Sequence, residues 1–141
     1  MKFPPWMRIY GDVAYRGTCP TETAEQVTTF ARIRRHWPDT LGVVALHVRN
    51  EGKRTAGQVW HQKAEGLTRG APDIIIPGST TLIIELKRRD HTASKWQHGQ
   101  LEYLQTAHEL GSWVCVALGA DAAIEAINCY LSTTILTIPN G

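Results

Sequence analysis

Cysteine is scarce: three residues in 141, at Cys19, Cys115 and Cys129, with no Cys-x-x-Cys pair. An odd, widely spaced set fits a reducing compartment better than a disulfide framework. No apolar run reaches the ~18 residues of a membrane span. The first residues, Met1-Lys2-Phe3-Pro4-Pro5-Trp6, contain no apolar signal-peptide core. The expectation is a cytoplasmic protein that does not contact a membrane. Six histidines and the three cysteines show no zinc-ligand spacing. A Gly-rich phosphate loop and a Gly-x-Ser-x-Gly elbow are both missing, which removes P-loop and serine-hydrolase chemistry. Repeats and low-complexity segments are absent as well. At this length, with 43% hydrophobic and 20% charged residues, one globular domain with a real core is expected.

Positive charge is missing from one end of the chain. All 15 Lys and Arg lie at or before Lys95, and the stretch from Trp96 to Gly141 carries only acids. A net charge of +2 therefore conceals segregation along the chain. A basic face from the first two-thirds would suit a polyanion, and a solvated surface with clustered cations accounts for charge alone equally well.

Residues 1–20, with three prolines and few periodic apolar positions, read as an irregular arm. It would pack Trp6 and Tyr10 on the body or on a second subunit. Residues 21–141 form the domain. Thr21 is a helix N-cap, with Glu22 and Glu25 near the first turn where the dipole favours anions. That helix is expected to run to Trp37 and stop at Pro38, with Glu22, Gln26, Phe30, Ile33 and Trp37 as its inner stripe. Leu41–Val48 is almost wholly apolar and reads as a buried strand. A polar, cationic loop follows, then a helix from Ala56 to Glu65 ended by Gly66. Gly66 and Gly70 flank Arg69, where the backbone can approach a ligand closely. A helix capped by Thr92 or Ser94 is expected to reach Leu110, with Leu101, Leu104, Ala107 and His108 inward. A strand over Trp113–Leu118, a helix from Ala120 to Tyr130 and an edge strand from Thr133 to Ile138 complete the chain. This order calls for an α/β fold with a central mixed sheet flanked by helices.

The centre of interest is Gly70-Ala71-Pro72-Asp73-Ile74-Ile75-Ile76, a Pro77-Gly78-Ser79 turn, and Leu82-Ile83-Ile84-Glu85-Leu86-Lys87. These are two apolar strands with acid where a buried strand should have none. Residues two apart on a strand share a face, so Glu85 and Lys87 point together. Asp73 enters the partner strand at the end of its apolar run. Two carboxylates and an ammonium at a sheet edge can hold a divalent metal beside a phosphate and activate a water. Singly, each residue has an ordinary explanation: Glu-x-Lys as a cross-strand ion pair, Pro-Asp as a turn former, Gln100 as a surface residue.

Jointly they resemble a family. A first-helix acid, Pro-Asp at a strand, and Glu-x-Lys a dozen residues on, followed by a helix, resemble the PD-(D/E)xK nuclease superfamily. Glu22 and Gln26, then Gly66, Arg69, Gly70, Pro72 and Asp73, then Glu85-Leu86-Lys87, then Gln100 eleven residues before Gly111, resemble the VRR-NUC domain. The stand-alone type of this domain is found in phages and prophages. The likeness covers Thr21 to Leu131.

The resemblance implies a restriction-endonuclease-like core and a DNA endonuclease using Mg²⁺ or Mn²⁺. Asp73, Glu85, Glu22 and the Leu86 carbonyl would hold the metal. Lys87 would orient or deprotonate the attacking water, and Gln100 would hydrogen-bond that water or the phosphate. The first-helix acid is Glu22, with Glu25 three residues away as the alternative. The products would be a 5′-phosphate and a 3′-hydroxyl. The resemblance also implies a Holliday-junction-resolvase-like homodimer acting on branched DNA in a bacterial or phage-infected cell. Arg49, Lys53, Arg54, Arg69, Arg88, Arg89 and Lys95 would line the DNA path. Two other readings remain: a non-catalytic DNA-binding module on the same fold, and an enzyme acting on small phosphoesters.

Overall fold

The structure, a computed structural model, describes residues 1–49 and 54–135. Four strands, five α-helices and one 3₁₀ turn are found among them. The elements are β1 (Arg8–Tyr10), α1 (Glu22–His36), α2 (Leu41–Val44), α3 (Ala56–Ala64), β2 (Ile74–Ile76), β3 (Leu82–Lys87), a 3₁₀ turn (His91–Ala93), α4 (Gln100–Glu109), β4 (Trp113–Leu118) and α5 (Ala120–Ile135).

The sheet order is β1-β4-β3-β2. β1 and β3 flank β4 in parallel, and β2 runs antiparallel to β3. The two central strands are buried along their whole length, as strands covered on both faces should be. One face packs Leu82, Ile84, Leu86, Cys115 and Ala117 against α1 and α5. The other packs Ile83, Val114 and Val116 with Leu104 of α4. Alternation then fixes the side of the acids: Glu85 and Lys87 follow Ile83 on the α4 face. The register Ile74↔Ile84 carried one step further sets Asp73 opposite Glu85. Two acids thus become cross-strand neighbours, ~5 Å apart at Cβ.

The mixed sheet between helices agrees with expectation, and several elements differ. Within the arm, Arg8–Tyr10 is a strand of the sheet, and Trp6 stacks on His108 with ring centroids 4.3 Å apart. Leu41–Val48 is not a buried strand. Leu41–Val44 is a helical turn, Val43 is 70% exposed, and only Leu46 pairs, with Ile75. The cause lies at Gly42, whose N–H donates to the Trp37 carbonyl at 2.8 Å. A Cβ there would come within 2.7 Å of that carbonyl, so glycine lets the chain fold back on the end of α1. Short apolar runs do not by themselves separate strand from helix. The helix expected from Thr92 or Ser94 is also broken. Asp90 caps the 3₁₀ turn by accepting from Thr92 N, and α4 starts only after Gly99, at φ +89°. At the other end α5 runs on to Ile135, through the first half of the expected edge strand; residues 136–138 lie outside the described residues.

The inner stripe of α1 is shifted too. Its buried residues are Glu25, Thr29 and Ile33, with Phe30 and Trp37 packed at the margin. Glu25 is buried because it serves another helix: its Oε2 accepts from Ala120 N at 2.6 Å, at the N-terminus of α5, where a carboxylate meets the positive end of the dipole. Glu25→Ala removes that cap and leaves a buried N–H unpaired. The expected cost is about 1–2 kcal/mol in urea denaturation.

Candidate active site

Asp73, Glu85, Lys87, Gln100 and Glu22 converge at the C-terminal end of β3. The backbone of β3 arranges the first part. Lys87 O accepts from Gly119 N at 3.0 Å, on the β4 side. Successive strand residues alternate, so the N–H and C=O of Leu86 point the other way, past the end of β2. The Leu86 N–H there donates to Asp73 Oδ2 at 2.8 Å. The Leu86 carbonyl faces the same edge, the position expected of it as an oxygen ligand.

Glu85 is 1% exposed. Its Oε1 accepts from Gln100 Nε2 at 3.0 Å, and its Oε2 is buried with no hydrogen-bond partner. Burial pushes the Glu85 carboxyl well above the usual carboxylate range, and Asp73 and Glu22 push the same way against the opposing charge of Lys87. Asp73 and Glu85 can hydrogen-bond each other only when one carries a proton, so as two carboxylates they repel. An orphaned buried oxygen facing a second acid is what a hard divalent cation relieves.

Lys87 is also buried, at 1%. Its Nζ donates to Lys95 O at 3.1 Å and Gln100 Oε1 at 3.0 Å. It lies 3.7 Å from Glu85 Oε1, 4.0 Å from Glu22 Oε1 and 5.1 Å from the Trp96 ring. Gln100 is thus a two-handed clamp, holding the acid by its amide nitrogen and the lysine by its oxygen. It stands at the first turn of α4 because loop 66–70 packs there: Gly70, at φ +76°, lies so close that a Cβ would meet Gly99 C at 2.3 Å. The close approach read at Gly70 is therefore to the start of α4.

Of the two first-helix acids, Glu22 faces the centre. Its Oε1 accepts from Ser94 Oγ at 2.8 Å, and the same hydroxyl accepts from Arg88 N at 3.0 Å. Among the described residues no group of three Asp, Glu, His or Cys forms a ready metal cage. The donors brought together are Asp73, Glu85 and the Leu86 carbonyl, with Glu22 beside Lys87. All are hard oxygen donors, which fit Mg²⁺ or Mn²⁺.

Three residues escaped the sequence reading: Ser94, Trp96 and His47, whose Nδ1 lies 2.8 Å from Asp73 O. For Ser94 and Trp96 the signal was their placement six and four residues before Gln100; His47 sat inside the misread strand.

The expected DNA-path cations divide. Arg49, Arg69 and Lys95 are exposed. Arg88 donates to the carbonyls of Cys19 and Pro20, which fastens the arm. Arg89 lies 3.9 Å from Asp121 and over the Tyr15 ring, and Arg54 donates to Gln62. Lys53 lies outside the described residues. No helix among the described residues is long and apolar enough to cross a membrane.

No protein-family model matches the chain, and no curated protein sequence matches it. Among solved structures, a chain described as a "VRR_NUC domain protein" superposes with a TM-score of 0.67 at 23% identity, covering 84% of this chain and 92% of that one. With its four-stranded mixed sheet between helices, this chain has the restriction-endonuclease-like fold of a VRR-NUC domain protein.

Proposed function

We propose that this chain is a VRR-NUC nuclease, a structure-selective DNA endonuclease dependent on Mg²⁺ or Mn²⁺. The observation that carries the reading is the buried, partnerless Glu85 Oε2 opposite Asp73, with Lys87 alongside. Asp73 and Glu85 would hold the ion with the Leu86 carbonyl, and Glu22 would reach it directly or through water. Such an ion supplies charge for the phosphate and activation of a water. Lys87 keeps one N–H beyond those given to Lys95 O and Gln100 Oε1, free to orient the attacking water or neutralise a phosphate oxygen. Gln100 fixes both the acid and the lysine, so reacting atoms meet a preset geometry. Attack on phosphorus breaks the P–O3′ bond and leaves a 5′-phosphate and a 3′-hydroxyl.

The preferred substrate in this reading is branched DNA, a four-way junction above all, cut by a homodimer whose two-fold axis matches that of the junction. Exposed Arg49, Arg69 and Lys95 would contact phosphates in a salt-sensitive way. The protein is expected to nick a labelled four-way junction with Mg²⁺ or Mn²⁺ and not with EDTA. Asp73→Ala or Lys87→Ala is expected to lower the single-turnover rate at least ~10²-fold. No cleavage of any branched or linear DNA with either metal would overturn the reading. Binding without cleavage would favour the non-catalytic module.

A further inference from the structure

Two grooves meet near the N-terminus of α1, where they share Thr23. One, about 500 Å³, runs past Glu22, Arg88, Ser94 and Lys95 and is polar. The other, about 630 Å³, lies between α1 and the segment 45–49. Its floor is apolar, from Val27, Phe30 and Leu46, and its rim carries Arg34, His47 and Arg49. No carboxylate is among its described lining residues. Val27 is 66% exposed and Leu46 43%, so the apolar floor is open to solvent.

We propose that this second groove receives the bases of an unpaired DNA strand leaving the duplex beside the cleavage centre. The proposal rests on the nuclease reading above and adds a physical source of preference for branched DNA that carries an unpaired strand, such as a flap. Apolar floor and cationic rim together are the combination that binds single strands, whose bases need a surface and whose phosphates need cations. The Arg34 guanidinium lies 5.4 Å from the Phe30 ring centroid, so the plane offered to a base is the guanidinium itself, which stacks on bases. The groove is also close to the site. His47 in its wall reaches the Asp73 carbonyl at 2.8 Å, and its α1 wall begins at Thr23, next to Glu22. A paired strand fits the polar groove, where hydroxyls and cations face phosphates. An unpaired strand gains from the apolar one. The strands of a flap or splayed end would part at the α1 N-terminus, and plain duplex or a fully paired junction would leave the apolar groove unused.

The test compares a blunt duplex with the same duplex bearing a short thymidine tail, by fluorescence anisotropy in Ca²⁺, with the DNA checked for integrity. The tail is expected to raise affinity about tenfold, the equivalent of stacking roughly one base. Val27→Glu sets a carboxylate on the exposed floor without touching the core. It is expected to remove the gain and leave blunt-duplex binding unchanged, and Val27→Lys to restore part of the gain through the phosphates. An undiminished gain in Val27→Glu overturns the proposal, as does an equal loss for blunt and tailed DNA. A changed sedimentation mass with the gain intact would also overturn it, by making the groove a contact between copies of this chain. A tail gain in a protein that cleaves nothing would sink the nuclease reading alone. A wild-type protein that cleaves junctions but binds tailed and blunt duplex equally would sink the groove alone.

Discussion

Glu85→Gln is expected to make the metal-free protein more stable and the enzyme inactive. Wild-type Glu85 is buried, faces Asp73, and leaves one oxygen without a partner. Among the described residues the positive charge close to it is Lys87, at 3.7 Å. The raised pKa says which side wins: burial, then Asp73 and Glu22, outweigh Lys87. A neutral amide of the same shape escapes the burial cost, can still accept from Gln100 Nε2, and can donate to Asp73. Lys87 keeps Lys95 O, Gln100 Oε1 and Glu22. The gain near neutral pH should be about 1–2 kcal/mol, the scale of relieving a buried polar atom left without a partner. Because the folded-state pKa is raised, the contribution of Glu85 to stability is full below its ordinary value of 4.5 and is lost as pH rises through the raised value. Wild type and Glu85→Gln should therefore melt alike in acid and diverge as pH rises. Mn²⁺ should restore wild-type stability by mass action and leave the variant unmoved. Cleavage should fall at least ~10²-fold. A variant less stable than wild type at neutral pH in EDTA would contradict this account of the site.

The second large effect is expected at Gly70, three residues before Asp73 but thirty before Gln100 in sequence. Gly70→Ala must adopt φ +76° and set a Cβ 2.3 Å from Gly99 C and 2.4 Å from Gly99 O. The left-handed conformation costs about 1–2 kcal/mol and the overlap about 1–3 kcal/mol. A total loss of about 2–5 kcal/mol is expected. Backbone cannot step aside as a side chain can, so loop 66–70 or the start of α4 must move, and Gln100 with it. Gly66 supplies the control. It too has a positive φ, +104°, but among the described residues no atom beyond its chain neighbours lies within 4 Å of where its Cβ would stand, so Gly66→Ala should cost only the conformational part, about 1–2 kcal/mol. Urea denaturation of both variants separates the two causes. Equal costs would mean that the Gly70–Gly99 contact does not hold α4 in place.

What the chain made legible followed from period and order. Glu85 and Lys87 share a face because strands alternate, and the antiparallel register then delivers Asp73 opposite Glu85. Gln100 was accessible only through family resemblance, because nothing local marks a glutamine at the start of a helix as a clamp. The choice between Glu22 and Glu25 was open in sequence, since residues three apart on a helix lie on nearly one face. It turns on partners far along the chain: Ser94 for Glu22 and Ala120 N for Glu25. The misread stripe of α1 has the same origin. Glu25 and Thr29 are polar and buried, satisfied by Ala120 N and by the Glu25 carbonyl, and hydrophobic periodicity is blind to satisfied polar groups. Leu41–Val48 failed for the opposite reason. It is apolar enough for a strand, but Pro38 and Gly42 turn it back on α1 before it can join the sheet beyond Leu46.

The central claim is that Asp73, Glu85 and Lys87 form a metal-dependent DNA-cleaving centre. The most direct measurement is single-turnover cleavage of labelled four-way junction, flap and plain duplex by wild type and Glu85→Gln, each with Mg²⁺, Mn²⁺ or EDTA. Wild type is expected to cut the branched substrates with either metal, leaving 5′-phosphates, and to stop in EDTA, with Glu85→Gln inactive throughout. Cleavage that persists in EDTA, or survives in Glu85→Gln, would contradict it.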